Sequence, residues 1–541
     1  MEALDWLVIG VFFLALIGII VWVVRQKQND SADYFLGGRD ATWLAIGASI
    51  FASNIGSEHL IGLAGAGASS GMAMAHWEIQ GWMILILGWV FVPFYTRSMV
   101  YTMPEFLERR YNPQSRTILS VISLVSYVLT KVAVTVYAGG LVFQQVFGIK
   151  ELWGIDFFWI AAIGLVVLTA LYTIFGGMKS VLYTSVLQTP ILLLGSLIIL
   201  VLGFKELGGW DEMMRVCGAV TVNDYGDTMT NLIRSNDDAN FPWLGALIGS
   251  AIIGFWYWCT DQFIVQRVLS GKNEMEARRG TIFGAYLKLL PVFLFLIPGM
   301  IAFALHQKYI GAGGEGFLPM LANGTANADA AFPTLVAKLL PAGVKGLVVC
   351  GILAALMSSL ASLFNSSAML FTIDFYKRFR PETPEKKLVG IGQVATVVIV
   401  ILGILWIPIM RSVGDVLYTY LQDVQSVLAP GIAAAFLLGI CWKRTSAQGG
   451  MWGLIAGMVI GLTRLGAKVY YSNAGEVADS TFKYLFYDMN WLFFCGWMFL
   501  FCIIVVIVVS LATKAPTAEK IQGLVFGTAT KEQKAATRAS W

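Results

Sequence analysis

Residues 50–63 read "IFASNIGSEHLIGL". Ser53, Asn54, Ser57, Glu58 and His59 interrupt a run that is otherwise apolar enough to lie in a bilayer. An ionisable side chain in hydrocarbon is expensive, and by default it marks a ligand, an ion or a proton path. One hydrogen-bonded pair of helices would use fewer polar groups than this stretch carries. The stretch therefore predicts a membrane helix broken at a ligand site.

The rest of the chain fits a membrane setting. Its 541 residues are 57% hydrophobic and 13% charged, with a mean hydropathy of +0.72, against about 25% charged residues in soluble domains. "LDWLVIGVFFLALIGIIVWVV" (4–24) and "WLFFCGWMFLFCIIVVIVVSLA" (491–512) each hold about the 20 apolar residues that cross a bilayer. The first lacks a basic leading region and a small-residue cleavage site, so a retained helix is expected rather than a signal peptide. About thirteen spans are expected, at 4–24, 42–70, 77–96, 117–146, 155–175, 181–203, 241–264, 281–305, 345–372, 388–410, 416–440, 449–468 and 489–513. The basic clusters "RRYNPQSR", "QRVLSGKNEMEARR", "YKRFRPETPEKK" and "WKR" flank span ends in short loops. With lysine and arginine biased to the cytoplasm, the N-terminus is expected outside and the C-terminus inside. Six cysteines show no disulfide or zinc spacing, and three histidines are too few for a His-rich metal site.

One transmembrane domain covers 1–541. It has a leading helix (4–24), two groups of spans (42–203 and 241–440), flanking helices (449–513) and a cytoplasmic tail (514–541). Each group opens on an interrupted span, through "SNIGSEH" in the first and "GFWYWCTDQ" in the second. Interrupted spans in matching places of two halves point to an inverted-repeat transporter with its site near the midplane. The longest loops, 204–240 and 306–344, fall outside and could lie over an external mouth.

Glycine-rich "GLAGAGASSG" (62–71) reads as close helix packing, because small residues let membrane helices approach. Other polar residues fall in or near spans: Glu78, Lys131, Lys288, Gln422 and Asp423, with Tyr257 and Trp258 in an aromatic run. Taken singly, Glu78 would be an interfacial carboxylate. Lys288, about 12 Å into its span, would be a snorkelling side chain, and the aromatic run an interfacial belt. Together, Asn, His, Glu, Gln and Lys beside Tyr and Trp suit a neutral polyhydroxylated ligand. Hydroxyls need donors and acceptors, and a ring face suits a sugar's apolar side. An anionic ligand would call for arginine, and none stands among these residues. A second cluster, "ALMSSLASLFNSS" (355–367), places Ser358 and Ser359 in mid-span. Such serines commonly back-bond to the carbonyl four residues earlier; the alternative is a sodium site of hydroxyls and the carbonyls freed by the break at 52–58.

At these residues the chain resembles the solute:sodium symporter family, in its sodium/glucose cotransporter branch. The resemblance runs through "DYFLGGR", "ASNIGSEHLIGLAG", "TMPEFLERR", "LYTIFGG", "WYWCTDQFIVQR", "AYLKLLP", "ALMSSLASLFNS", "FTIDFY", "LAPGIAAAFLLGICWKR" and "LVFGTAT". It implies an all-α integral membrane protein with a LeuT-type 5+5 inverted repeat and extra flanking helices. The implied activity is sodium-driven import of a glucose- or galactose-type hexose by alternating access. Carried over residue by residue, the sugar site falls on Asn54, His59, Glu78, Lys131, Tyr257, Trp258, Lys288 and Gln422. The outer gate falls on Leu63, Trp77 and Tyr418, and the inner gate on Tyr257. Sodium falls on the carbonyls of Ala52, Ile55 and Ala355 and the hydroxyls of Ser358 and Ser359. Glu58 stands beside these without a first contact.

There are departures. Gly254 stands where relatives carry a hydroxyl or amide facing the sugar. Ser185 stands where many carry Asp, which implies one sodium per sugar. The loop 306–344 lacks the cysteines of animal members, implying a bacterial protein in the cell (inner) membrane. The branch has fourteen spans, and none is left to read before "KAATRASW".

The expected partners are a sugar, sodium and the bilayer, with no nucleic acid and no obligate protein partner. No nucleophile–base pair, metal motif or nucleotide loop suggests an enzyme. The competing readings are a symporter for another neutral solute, such as the polyol inositol, and a channel or transporter-like sensor.

Overall fold

The computed structural model describes the chain except residues 27–29, 57, 322–323, 414–416, 474–477 and 541. It also leaves out the side chains at 129–130, 145, 409–413, 417–423 and 473. Nearly all regular structure is helical. In a bilayer every backbone donor and acceptor must be met within the protein, which a helix does by itself.

Among the described residues, ten helices are long and apolar enough to cross a membrane. This differs from the expected thirteen because some expected spans run together or break up. Phe157–Leu207 holds two of them, joined at Gly177. Gly177 has φ +54°, and a Cβ there would sit 2.4 Å from the Tyr34 carbonyl oxygen, so the corner takes no larger residue. Burial separates the centre of the bundle from its rim. The most apolar window of Val344–Phe379 is 89% buried, against 22% for Ala3–Val24 and 33% for Trp491–Ala512. The "ALMSS" helix is thus central, and the first and last long helices turn most of their surface to lipid.

The two interrupted spans are broken. Trp43–Asn54 ends where Ile55 turns extended (φ −78°, ψ 95°), and a π-helical turn, Glu58–Leu63, resumes the path. In the second half Trp243–Gly254 passes into a π-helical turn, Phe255–Thr260. Asp261 is then extended (φ −75°, ψ 129°) before Gln262–Leu269. The order reverses: break then π-turn in the first half, π-turn then break in the second.

The glycine-rich segment does pack closely. A Cβ on Gly67 would lie 2.3 Å from the Leu296 carbonyl oxygen, and one on Gly299 would lie 2.0 Å from that of Ala64. Ala64–Ser70 and Ile297–Gly311 therefore cross backbone to backbone. Both long loops reach this segment. Met72 N–H donates to the Met229 carbonyl at 2.7 Å, Arg234 donates to the Ser70 carbonyl, and Asp329 lies against Gly65.

Gly299→Ala is expected to force this crossing apart, at about 1–3 kcal/mol for overpacking. The thermal unfolding midpoint in detergent should fall clearly, while Gly10→Ala, with nothing within 4 Å of its Cβ, leaves it in place. Equal midpoints for the two variants would show that the crossing is loose.

Candidate functional site

Lys288 stands at the C-cap of Glu274–Leu287. Three residues on, Pro291 has no N–H to continue the ladder. Gly81 lets the lysine stem pass, since a Cβ there would meet Lys288 Cγ at 2.6 Å. The ammonium ends in the bundle interior, 2.6 Å from Glu78 Oε2, 2.5 Å from Asn54 Oδ1 and 2.8 Å from His59 Nε2. It also lies 5.6 Å from the Trp258 ring centre. Asn54 Nδ2 in turn donates to the Tyr257 hydroxyl at 3.0 Å, which ties the first broken span to the second. Asn54, His59, Glu78 and Lys288 are all buried.

His59 Nε2 also lies 3.1 Å from Glu78 Oε1. Carrying a proton, this nitrogen donates to Glu78; with a lone pair, it accepts from Lys288. It can serve only one of them at a time, so the cluster has two arrangements of nearly the same geometry.

Asn54, His59, Glu78, Tyr257, Trp258 and Lys288 line one internal cavity, with Trp77 at its wall. Glu58, expected only beside the site, is on that wall too. So are Gln80, Ile253 and Gln425, which the sequence reading did not single out. The signal for Gln80 was present: it is a second polar residue two places after Glu78, in a tight three-residue turn, Gln80–Trp82. The space open to the centre of a water molecule is about 20 Å³, enough for about one water. In this conformation the cavity is too small for a ligand much larger than water.

Other expected residues fall elsewhere. Lys131 does not line the cavity. Its ammonium lies 2.8 Å from Asp261 Oδ2 and 4.5 Å from the centre of the Tyr257 ring. The Tyr127 hydroxyl also donates to Asp261. Lys131 is therefore a counter-ion for the residue at which the second span breaks, a partner the sequence could not supply because Asp261 lies 130 residues away. Leu63 is fully buried in the π-helical turn, and Trp77 packs edge-on against Trp491, ring centres 5.7 Å apart. The side chains of Tyr418 and Gln422 lie outside the described residues.

The first break also meets the central helix. Four carbonyls at a helix C-terminus have no partner within the helix, and here these are the carbonyls around Ala52–Ile55. The Ser359 hydroxyl donates to the Ser53 carbonyl at 2.8 Å. Gly56 approaches so closely that a Cβ would sit 2.7 Å from Ser359 Oγ. Ser358 Oγ lies 3.3 Å from Ser185 Oγ, and Ala355 is buried one turn earlier in the same helix. Among the described residues these are hydroxyls and carbonyls without a carboxylate, a chemistry that suits a hard monovalent cation. Arg267 closes the other side of this region: fully buried, it donates to Ser49 Oγ at 3.2 Å and to Ser53 Oγ at 2.8 Å.

Comparison with known proteins gives the family and the fold. The profile of the sodium:solute symporter family matches residues 34–457. The sodium/myo-inositol cotransporter 2 of Mus musculus is 36% identical over 542 residues, covering 98% of this chain and 80% of that one. The sodium/glucose cotransporter 4 of Danio rerio is 36% identical over 537 residues, covering 96% of this chain and 80% of its own. Among solved structures, a Na⁺-coupled sialic acid symporter in a substrate-bound outward-open state matches with a TM-score of 0.75 at 22% identity. It covers 95% of this chain and 99% of that one. At that identity the likeness is one of fold, and the fold is the LeuT-type inverted repeat. The match along most of the sequence and the shared fold place this chain in the sodium:solute symporter family.

Proposed function

We propose that this chain imports a neutral six-carbon polyhydroxylated solute, a hexose or myo-inositol, driven by sodium through alternating access. The observation that carries the reading is the cavity around Lys288, Glu78, His59, Asn54 and Tyr257. It offers a cationic donor, an imidazole, a carboxylate acceptor, an amide and a ring face within a few ångströms. Hydroxyls both donate and accept, so a polyol can replace each contact these groups make with one another. The curated relatives named above are cotransporters of myo-inositol and of glucose, which supports the same class.

Sodium belongs at Ala52, Ile55, Ala355, Ser358 and Ser359 in this reading. The first broken span supplies both the freed carbonyls and Asn54 and His59, so a cation that orders the break also positions groups of the solute site. Linkage makes the effect mutual: the solute tightens sodium by the factor by which sodium tightens the solute. The outer gate is formed by Leu63, Trp77 and Tyr418, with Tyr257 as the floor. The N-terminus faces out and the tail faces the cytoplasm of a bacterial cell, in keeping with the basic loops.

In proteoliposomes a sodium gradient should drive accumulation of D-glucose or myo-inositol above the external concentration; equilibration without accumulation would mean a channel. Glu78→Ala and Gln422→Ala should each abolish saturable uptake; because Glu78 is the counter-ion of Lys288, its loss is also tested in Glu78→Ala with Lys288→Ala, which leaves no charge unpaired. A hydrogen bond involving a charged group is worth about 1.5–3 kcal/mol. Near-normal apparent affinity in both variants would remove them from the site.

Ser359→Ala should raise the half-saturating sodium concentration about five- to tenfold, the scale of one hydrogen-bonding ligand, while an unchanged value would place the cation elsewhere. Near this site Ser185 donates to the Val181 carbonyl at 2.6 Å, and the Arg267 charge lies among Ser49 and Ser53. Neither offsets the burial of a second cation, so one sodium per solute is expected. The reversal potential of the solute-coupled current at known gradients measures this ratio, and a value requiring two sodium ions would overturn it.

A further inference from the structure

Gln80 is a buried amide with an unmet acceptor. It is 6% exposed and lines the cavity, and its Oε1 has no hydrogen-bond partner among the described residues. Buried side-chain oxygens in native proteins are nearly always paired, so an exception calls for a cause.

Gly254 explains why the amide can stand there. A Cβ on Gly254 would lie 2.5 Å from Gln80 Oε1 and 3.3 Å from Met83 Cγ. The carboxamide therefore lies directly on the bare backbone of the second broken span. Tyr257 and Trp258 follow Gly254 by three and four residues, the spacing of neighbours on one helix face, and both point into the same cavity. Gln80 thus completes that face from across the helix boundary. Its terminal torsion is broad, so a small rotation turns Oε1 from Gly254 towards the cavity.

We infer that Gln80 is a solute-contacting, specificity-determining residue, and that Gly254 is glycine to make room for it. The carboxamide presents one acceptor and one donating NH₂ in a plane, a match for two adjacent hydroxyls of a cyclitol or pyranose. One hydroxyl donates to Oε1 and the oxygen of its neighbour accepts from Nε2. Glu78 and Lys288 supply the charge-assisted contacts, and Gln80 reads which neighbouring hydroxyls are present. The inference rests on the cavity being the solute site.

The test is sodium-dependent uptake by the full chain in proteoliposomes, with D-glucose, myo-inositol and a set of single-deoxy analogues of each as probes. Gln80→Leu keeps most of the side-chain volume and removes the amide. Its apparent KM for the better probe should rise about tenfold, or about 1.4 kcal/mol at 25 °C, with sodium dependence and maximal rate retained. Discrimination against one or two deoxy positions, present with Gln80, should vanish in Gln80→Leu. Gly254→Ala should lose the same discrimination by displacing the amide, and adding it to Gln80→Ala should cost little more.

A KM within twofold of the parent, or deoxy preferences unchanged in Gln80→Leu, would overturn the inference. Glu78→Ala, read beside Glu78→Ala with Lys288→Ala so that no charge is left unpaired, separates this failure from a wrong site. Loss of uptake in that variant, with Gln80→Leu unaffected, overturns only the role of Gln80. Saturable uptake retained by Glu78→Ala overturns the cavity reading and the inference together, as does failure of every probe to accumulate.

Discussion

A lysine ammonium held in the middle of a membrane protein is the constraint on which the rest depends. Taken alone, the Lys288 charge in a low-dielectric interior would be prohibitive. Paired with Glu78 at 2.6 Å and capped by Asn54 and His59, it is tolerable. Buried pairs of this kind give little net stability, and breaking one leaves an uncompensated charge. They persist where they give a specific arrangement or a function. Here the cluster joins the first broken span and Glu78 to Lys288, more than 200 residues away, and His59 Nε2 can turn from one partner to the other.

Two helix breaks follow from the same economy of polar groups. A continuous helix satisfies its own backbone and has nothing to offer an ion. At Ile55 and at Asp261 the ladder stops, carbonyls become free, and side chains must secure the loose ends. Asp261 is secured by Lys131 and Tyr127, and the Ser53 carbonyl by Ser359. Asn54 and Tyr257, each beside a break, bond to each other. A change at one break therefore reaches the other through a single side-chain contact, a physical route for coupling ion and solute.

The solute class we propose, hydroxyl-bearing rather than charged, is the one that the names of the sodium/myo-inositol and sodium/glucose cotransporters carry. The nearby guanidinium of Arg267 does not contradict this. It is engaged by Ser49 and Ser53 behind the first break, away from the cavity wall.

Membrane setting, broken spans and the polar residues worth attention were legible in the one-dimensional pattern. Hydropathy and the cost of buried charge are local properties: a polar residue in an apolar run is conspicuous without knowing its neighbours. "SNIGSEH" announced its break for this reason, and Glu78 and Lys288 their importance. Pairings were not legible. Lys131 was expected at the solute and instead holds Asp261, because a counter-ion is chosen by distance in space. Gln80 is polar and close to Glu78 in the sequence, but its seat against the bare backbone of Gly254 on another helix is visible only in three dimensions. The sequence alone determined which residues could not be left unpaired in a membrane. Only the tertiary structure decided which partners they took, since hydrogen bonds and ion pairs act over a few ångströms and the chain brings those atoms together only by folding.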